Sequence, residues 1–382
     1  MSALPEGTSA LHAELREAVR RYARERLAPG AARRDRLREF PAEALREIAA
    51  MGLMGVAIPE RWGGAGMDTT ALAISIEELA AAEAATATIV QVNNLVAGIL
   101  LGHGNEAQKE RWLRPIARGD GLGAFCLTEP QAGSDAADLR TRAERTAEGW
   151  VLRGTKQFIT SGRNADLALV FAVTDPTAGK RGIGCFAVPT RTPGYRVARL
   201  EDKLGQHASD TAQIVLEDCC VPADHLIGDA GAGYRIALAN LESGRINVAA
   251  QAVGVAKAAL EAALAYARAR RAFGKSLVEH QAVAFRLADM ATAIEAGRSL
   301  YLHAARLKDA GAPCLVQASM AKLYASEMAE RVCSEAIQIH GGYGYTTDFP
   351  VERFWRDVRV TRIYEGTSDV QRLLIARALA AG

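Results

Sequence analysis

The sequence lacks most of the features that sort a chain at sight. Its 46 basic and 44 acidic residues nearly cancel, leaving a formal net charge of +2. No global basic field is offered to nucleic acid, and no acidic tail is present. Six cysteines stand scattered at 126, 185, 219, 220, 314 and 333. None makes a C-x-x-C pair and no nearby histidine completes a zinc spacing, so neither a metal site nor a disulfide scaffold is expected. Scattered in this way they read as free thiols of a reducing compartment. The polar start, Met1 to Leu27, has no apolar core of a signal peptide. The most apolar stretch, Ala84 to Leu101, is broken by Gln91, Asn93 and Asn94, which argues against a membrane span. No Lys/Arg-rich amphipathic stretch suggests surface attachment to a membrane. The expectation is a cytoplasmic protein, or one of an organelle matrix if a transit peptide has been removed, without nucleic-acid or membrane partners.

The common nucleotide and catalytic motifs are missing as well. Gly341-Gly342-Tyr343-Gly344 has the wrong spacing for a dinucleotide fingerprint and follows a predicted helix rather than a strand. Phe273-Gly274-Lys275-Ser276 resembles the end of a phosphate loop, but the first glycine of that motif would fall at Ala269, inside a predicted helix. No H-E-x-x-H or G-x-S-x-G occurs. A bound nucleotide must be held without the usual loops.

What is present is a clear order of elements in 382 residues, 49% of them hydrophobic. That length suggests two or three domains. Residues 1–121 are rich in Ala, Leu, Glu and Arg at helical spacing, punctuated by Gly and Pro, and predict four to six helices. Residues 122–233 carry short β-branched and aromatic runs: Trp150-Val151-Leu152, Gln157 to Thr160, Leu167 to Val173, Ile183 to Val188, Tyr195 to Leu200 and Gln213 to Leu216. They predict a small all-β domain, a barrel or sandwich. Residues 234–382 return to helices, over Ile246 to Arg271, Val283 to Asp309, Pro313 to Ile339 and about Asp369 to Ala380, long enough for a bundle. The class is α+β, mainly α, and the lack of βαβ alternation excludes a doubly wound sheet.

Four stretches could carry chemistry. Glu365 lies on a tight helix-to-helix turn between Tyr364 and Gly366, with Ser368 and Gln371 spaced as a capping box. Leu127-Thr128-Glu129-Pro130-Gln131-Ala132-Gly133-Ser134-Asp135 is a polar loop leaving an apolar run, able to hold phosphates or ring heteroatoms. The adjacent glycines in Gln338 to Tyr345 let a ligand approach the backbone closely. Arg270 and Arg271 precede Phe273-Gly274 and could pair with phosphate. Taken singly, each also reads as something ordinary: a solvated glutamate, a turn, a helix cap and favourable charge at a helix end.

Together and in this order, the L-T-E-P-x-A-G-S-D, Q-x-x-G-G-x-G and I-Y-E-G-T-S stretches resemble the acyl-CoA dehydrogenase family. The resemblance runs from Gly63-Gly64 to Ala378. It implies an N-terminal helical domain, a middle β domain and a C-terminal four-helix bundle enclosing FAD. It implies that Phe125, Cys126, Leu127, Thr128 and Ser134 line the flavin, and that Phe158, Ile159 and Thr160 pack near its redox edge. Arg270, Phe273, His280, Gln281, Gln338, Gly341 and Gly342 are implied at the pyrophosphate and adenine, some from a neighbouring subunit of a homotetramer, a dimer of dimers. Thr367 and Asp369 would complete the flavin site. Ser134, Glu242, Arg245, Tyr364 and Gly366 are implied contacts of the acyl-CoA.

Glu365 is then the base for the α-proton, its backbone N–H a donor to the thioester carbonyl, and the β-hydride goes to flavin N5. Electrons would pass to an electron-transferring flavoprotein. Relatives such as the isovaleryl enzymes carry the base just before the matched arginine; here that position is Gly244, which cannot serve. Glu242, two residues earlier, points along a different helical direction. Three departures stand out: Phe158 where tryptophan is common, His207 where arginine is frequent, and Glu242 where aspartate is usual. Two competing readings are an oxygen-using acyl-CoA oxidase or flavin monooxygenase on the same scaffold, and a non-catalytic helical binding or assembly protein.

Overall fold

The computed structural model describes Ser9 to Ala381; Met1 to Thr8, the beginning of the polar start, and Gly382 lie outside the described residues. The first third is helical: α1 (Ala10–Tyr22), α2 (Ala28–Leu37), α3 (Ala42–Ala50), α4 (Thr69–Ala82), α5 (Ala84–His103), α6 (Glu106–Gln108) and α7 (Arg114–Arg118). Side chains cap the entries. Ser9 and His12 form a reciprocal box at α1, and Asp68 accepts the Ala71 N–H at 2.8 Å at α4.

The middle third is a sheet of β1 (Gly123–Cys126), β2 (Arg142–Arg145), β3 (Gly149–Thr160), β4 (Leu167–Val173), β5 (Ile183–Pro189), β6 (Tyr195–Leu200), β7 (Thr211–Pro222) and β8 (Leu226–Ile227). The strand path is β6-β7-β3-β2-β4-β5-β8, with β1 parallel to β4. Period two explains why β4 is apolar throughout. Leu167, Leu169 and Phe171 pack with α5, whereas Ala168, Val170 and Ala172 pack with β3 and β7. The two runs predicted around Trp150 and Phe158 are one strand, bent by bulges after Leu152 and Lys156. Strands β1, β2 and β8 are too short for their period to show in the sequence.

The last third contains α8 (Gly233–Ala269), a hairpin of β9 (Arg271–Ala272) and β10 (Lys275–Ser276), then α9 (Gln281–Asp309), α10 (Leu315–His340), α11 (Val351–Val358) and α12 (Ser368–Ala381). Helix α8 starts 13 residues before the predicted Ile246, because Arg235, Glu242 and Arg245 interrupt the apolar pattern without interrupting the helix. It is the axis of the molecule, packed by α4, α5, α9 and α10 into one shared apolar core. Helices α5 and α8 are long and apolar enough to cross a membrane, but 83% and 78% of their most apolar windows are buried inside the protein. Within α5, Asn93 and Asn94 bond the backbone carbonyls of Met54, Ile116, Leu53 and Val90. These are core helices whose polar residues staple loops.

One feature of the core has no sequence signature. Adjacent Glu77 and Glu78 on α4 are both buried. Glu77 meets Arg298 of α9 at 2.8 Å, and Glu78 meets Lys257 of α8 at 2.6 Å and Arg16 of α1 at 2.9 Å. Opposite charges from four helices thus converge, and burial of any one alone would be prohibitive.

Candidate active site

The turn before α12 is bent against the usual preference of its residues. Glu365 has φ +56° and Gly366 φ +89°. A left-handed glutamate is costly and persists only where its surroundings hold it. Three contacts do so. The Gln371 amide donates to the carbonyls of Glu365 (3.1 Å) and Gly366 (2.8 Å). Lys322 of α10 donates to the same Gly366 carbonyl at 2.7 Å. The Thr367 hydroxyl accepts the Val370 N–H at 3.3 Å. The expected capping box is therefore corrected: Thr367, not Ser368, caps α12, and Gln371 serves the turn because two left-handed residues leave two carbonyls facing inward.

The Glu365 carboxylate lies against Gly244 of α8. A Cβ built on Gly244 would stand 2.4 Å from Glu365 Oε2. Oε2 itself is buried without a hydrogen-bond partner. Burial pushes the carboxyl up to about 7, opposed by the charges of Arg245 and Lys322. Arg245 is also buried, and its Nε and Nη1 lack partners. Burial drives its ordinary value down, with Glu365 and Glu242 opposing. An orphaned carboxylate oxygen beside Gly244 and an orphaned guanidinium on the next residue of α8 leave polar groups that a polar ligand would satisfy. Glu242 is otherwise engaged, meeting Lys308 Nζ at 3.1 Å and accepting from the Cys314 thiol at 3.1 Å.

Next to the carboxylate a hydrogen-bonded cluster joins the turn, α8 and α5. Tyr364 donates its hydroxyl to Gln251 Oε1. The Gln251 amide donates to Thr88 Oγ1 (2.7 Å) and the Ala84 carbonyl (3.0 Å), and Thr88 donates to Gln206 at 2.7 Å. Gln251 is seven residues after Gly244, two turns along the same face of α8 and so about 10 Å away.

The β domain contributes a second surface. Phe158 sits at the bulge of β3 with φ +58° and its ring 62% exposed, an apolar platform held by strained backbone. Ile159 and Thr160 pair with Ala212 and Thr211. Phe125 tilts against Phe171 with ring centroids 5.1 Å apart and stays half-buried, whereas the Cys126 thiol is buried in the core, so at Cys126 β1 offers a ligand only its backbone. The loop after β1 is locked by a pair that motif reading passed over. Buried Lys156 donates to the Leu127 carbonyl (3.0 Å) and Glu129 (2.7 Å), and Glu129 also accepts the N–H groups of Arg140 and Thr141. That holds Leu127 and Thr128 in place; Ser134 lies exposed further along the loop.

All three parts of the chain match known domains. Residues 9–120 match the acyl-CoA dehydrogenase N-terminal domain, 124–219 the middle domain and 231–380 the C-terminal domain. The chain belongs to the acyl-CoA dehydrogenase family. An acyl-CoA dehydrogenase of Bacillus subtilis is 45% identical over 369 residues, 96% of this chain and 97% of that one. The short-chain specific mitochondrial enzyme of Mus musculus is 45% identical over 366 residues, covering 96% and 89%. Butyryl-CoA dehydrogenase from Megasphaera elsdenii superposes with a TM-score of 0.96 at 40% identity, covering 99% and 100% of the two chains. Membership makes the chain an oxidoreductase of a flavoprotein family that works in fatty acid β-oxidation.

The family is FAD-dependent, and a relative from Mycobacterium smegmatis, a glutaryl-CoA dehydrogenase 32% identical with a TM-score of 0.93, was solved with FADH2. The residues here fit such a group, but not in one place. Arg270, Phe273, His280, Gln281, Gln338, Gly341 and Gly342 gather at the far end of α8, with Arg270 over the Tyr343 ring at 5.9 Å and His280 bonded to the Ala272 carbonyl. Phe273 is 96% exposed at φ +50°, and open space surrounds Gly341 and Gly342. Arg270 is 25 residues from Arg245, so about 37 Å away along one helix. A single acyl-CoA dehydrogenase chain therefore separates these two halves of the expected site. Thr367 stays beside Glu365 as a cap, while Asp369 is exposed and pairs with Arg372 at 3.3 Å.

Proposed function

We propose that this chain is an FAD-dependent dehydrogenase that converts a short acyl-CoA to its trans-2-enoyl-CoA, with Glu365 as the base. The observation that carries the reading is the Glu365 carboxylate: packed against Gly244, its Oε2 buried without a hydrogen-bond partner, and shifted to ionise near neutral pH. A thioester α-proton is far less acidic than an ordinary carboxyl group. A desolvated carboxylate is a stronger base, and stabilisation of the developing enolate lowers the remaining barrier. The Glu365 N–H, which takes no backbone partner among the described residues, is the donor available to the thioester carbonyl. When bound, FAD supplies the acceptor for the β-hydride at N5. Phe158 to Thr160 offer that ring a platform, and the backbone from Phe125 to Thr128, fixed by Lys156 and Glu129, offers its donors.

The separation along α8 supports a second copy completing each site, consistent with a homotetramer whose Arg270 and Gly341-Gly342 ends hold the pyrophosphate and adenine. Short acyl chains are supported by the Gln251–Thr88–Tyr364 cluster two turns from the base, and by the short-chain and butyryl-CoA relatives. Ser134, Arg245, Tyr364 and Gly366 remain the candidate contacts of the thioester and its CoA arm; for Tyr364 only the ring and backbone are available, its hydroxyl being spent on Gln251. Glu242 acts through Lys308 and Cys314 at the rim. An electron-transferring flavoprotein is the proposed acceptor, in the bacterial cytosol or an organelle matrix; a chain from work on the electron transferring flavoprotein of Acidaminococcus fermentans matches with a TM-score of 0.97.

The test is an anaerobic visible spectrum of the purified protein during addition of acyl-CoAs from C4 to C16 and branched C4 and C5 esters. Bleaching of the flavin band, strongest with the short straight chains, is the expected result. A yellow protein that no thioester bleaches would overturn the reading. The same fold hosts a prolyl acyl carrier protein oxidase at 32% identity, so repeating the assay in air separates dehydrogenase from oxidase by peroxide release.

A further inference from the structure

We propose that Lys322 is a positioning residue for the base: it clamps the strained Glu365–Gly366 turn and holds a cation beside the carboxylate. The inference rests on Glu365 being the base. Three observations point to it. Lys322 has no exposed surface, although it stands on α10, outside every motif of the sequence. Its Nζ reaches across to the Gly366 carbonyl at 2.7 Å, sharing that oxygen with Gln371. No carboxylate neutralises it by direct contact; the charge it faces is Glu365.

A buried lysine is expensive, and an amide would serve equally well as a donor to a carbonyl. What an amide cannot supply is charge. The groups around the site divide cleanly. Arg245 approaches from α8, Arg362 from the segment before the turn, and Glu327 from the next turn of α10. Glu327 and Arg362 are spent on each other and on Arg372 and Glu330. That leaves Lys322 and Arg245 to oppose the desolvation of Glu365. Burial alone would make Glu365 too strong an acid-holder to ionise at working pH; the two cations bring it back toward neutrality. Burial likewise holds Lys322 itself down to about 7. The pair is thus poised so that a base is available at neutral pH without a hydrogen bond that would quench it.

The geometry and the charge can be separated. Lys322→Gln keeps a donor for Gly366 and removes the charge; Gln371→Leu removes the amide clamp and keeps the charge. The measurements are kcat/KM against pH with butyryl-CoA, and the infrared carbonyl band of the protonated Glu365 carboxyl, assigned by difference from Glu365→Gln and followed against pH. For Lys322→Gln the acid limb and the infrared midpoint both move up by roughly half a unit to one unit, with KM little changed. For Gln371→Leu kcat falls with neither midpoint moved. If Lys322→Gln leaves both midpoints where they are in the parent protein, the inference is overturned, whatever happens to the rate. Lys322→Met serves if the glutamine variant is not recovered, with the same two outcomes. If Glu365→Gln instead keeps substantial turnover, the base assignment has failed, and that result is distinct from either outcome at Lys322.

Discussion

Replacing Gly244 with alanine tests the site more sharply than removing the base, because structure and function should move in opposite directions. Gly244 lies inside α8, where alanine is favoured over glycine by about 1 kcal/mol in helix propensity. The new methyl group would stand 2.4 Å from Glu365 Oε2, 2.7 Å from Cδ and 3.1 Å from Oε1. Ordinary contact begins near 3.4 Å, so the carboxylate must retreat by about 1 Å. The atoms that move are the far end of a flexible side chain, so the fold loses little. Catalysis loses much more. A misplacement of about 1 Å in a reacting group costs on the order of 100-fold, equivalent to about 2.7 kcal/mol of barrier.

The expectation for Gly244→Ala is therefore a Tm equal to or above that of the parent, full flavin, and kcat/KM for butyryl-CoA lower by roughly two orders of magnitude. Flavin absorbance, a melting curve and steady-state assays with an artificial electron acceptor read all three. A variant that keeps more than half its kcat/KM would show that the carboxylate does not work from the position it occupies against α8. A variant that loses flavin would show that Gly244 serves the cofactor instead.

Two further expectations follow from buried charge. The raised Glu365 carboxyl binds a proton in the folded state between about pH 4.5 and 7 that the unfolded chain releases, so this site costs stability as pH rises through that window. Glu365→Gln should unfold at higher denaturant than the parent at pH 8, by on the order of 1–3 kcal/mol, with the gap closing below about pH 4.5 while turnover is lost by several orders of magnitude; equal stability at pH 8 would contradict the burial argument. Lys156→Met leaves Glu129 buried without its cation and should destabilise by about 3–5 kcal/mol, with looser flavin retention measured by equilibrium dialysis; a variant as stable as the parent would remove this pair from the support of the loop.

Much of this was legible in the sequence, for reasons that differ by element. Long helices announce themselves by period, and β4 and β5 by nearly unbroken apolar runs bounded by turn residues. The start of α8 was not legible, because Arg235, Glu242 and Arg245 interrupt the apolar pattern without interrupting the helix. The strain was invisible. Phe158, Phe273 and Glu365 all adopt left-handed backbone, and no residue type there signals it. Lys322, Gln371 and the Lys156–Glu129 pair were also missed, since each acts across the fold through contacts between residues 27 or more positions apart or, for Gln371, through an amide that reads as a cap. Sequence pattern finds the residues that meet a ligand more readily than those that hold them.

Helix α8 sets the spacing of the whole site, and that gives a test of how its parts combine. Gly244 lies against the base with Arg245 next to it, Gln251 binds the Tyr364 hydroxyl two turns on, and Arg270 stands 19 residues further, about 28 Å away. Sites so far apart, with no shared partner, should add. Gln251→Ala removes that side chain and frees the Tyr364 hydroxyl, so it should shift preference toward longer acyl chains and leave flavin content unchanged. Arg270→Ala should weaken flavin retention or reduce the native mass measured by light scattering, and leave chain preference unchanged. The double variant should show both effects at their single-variant sizes, within about 0.5 kcal/mol when expressed as free energies. A larger departure would mean that assembly at one end of α8 reshapes the cleft at the other, and that the helix transmits strain between them rather than merely spacing them.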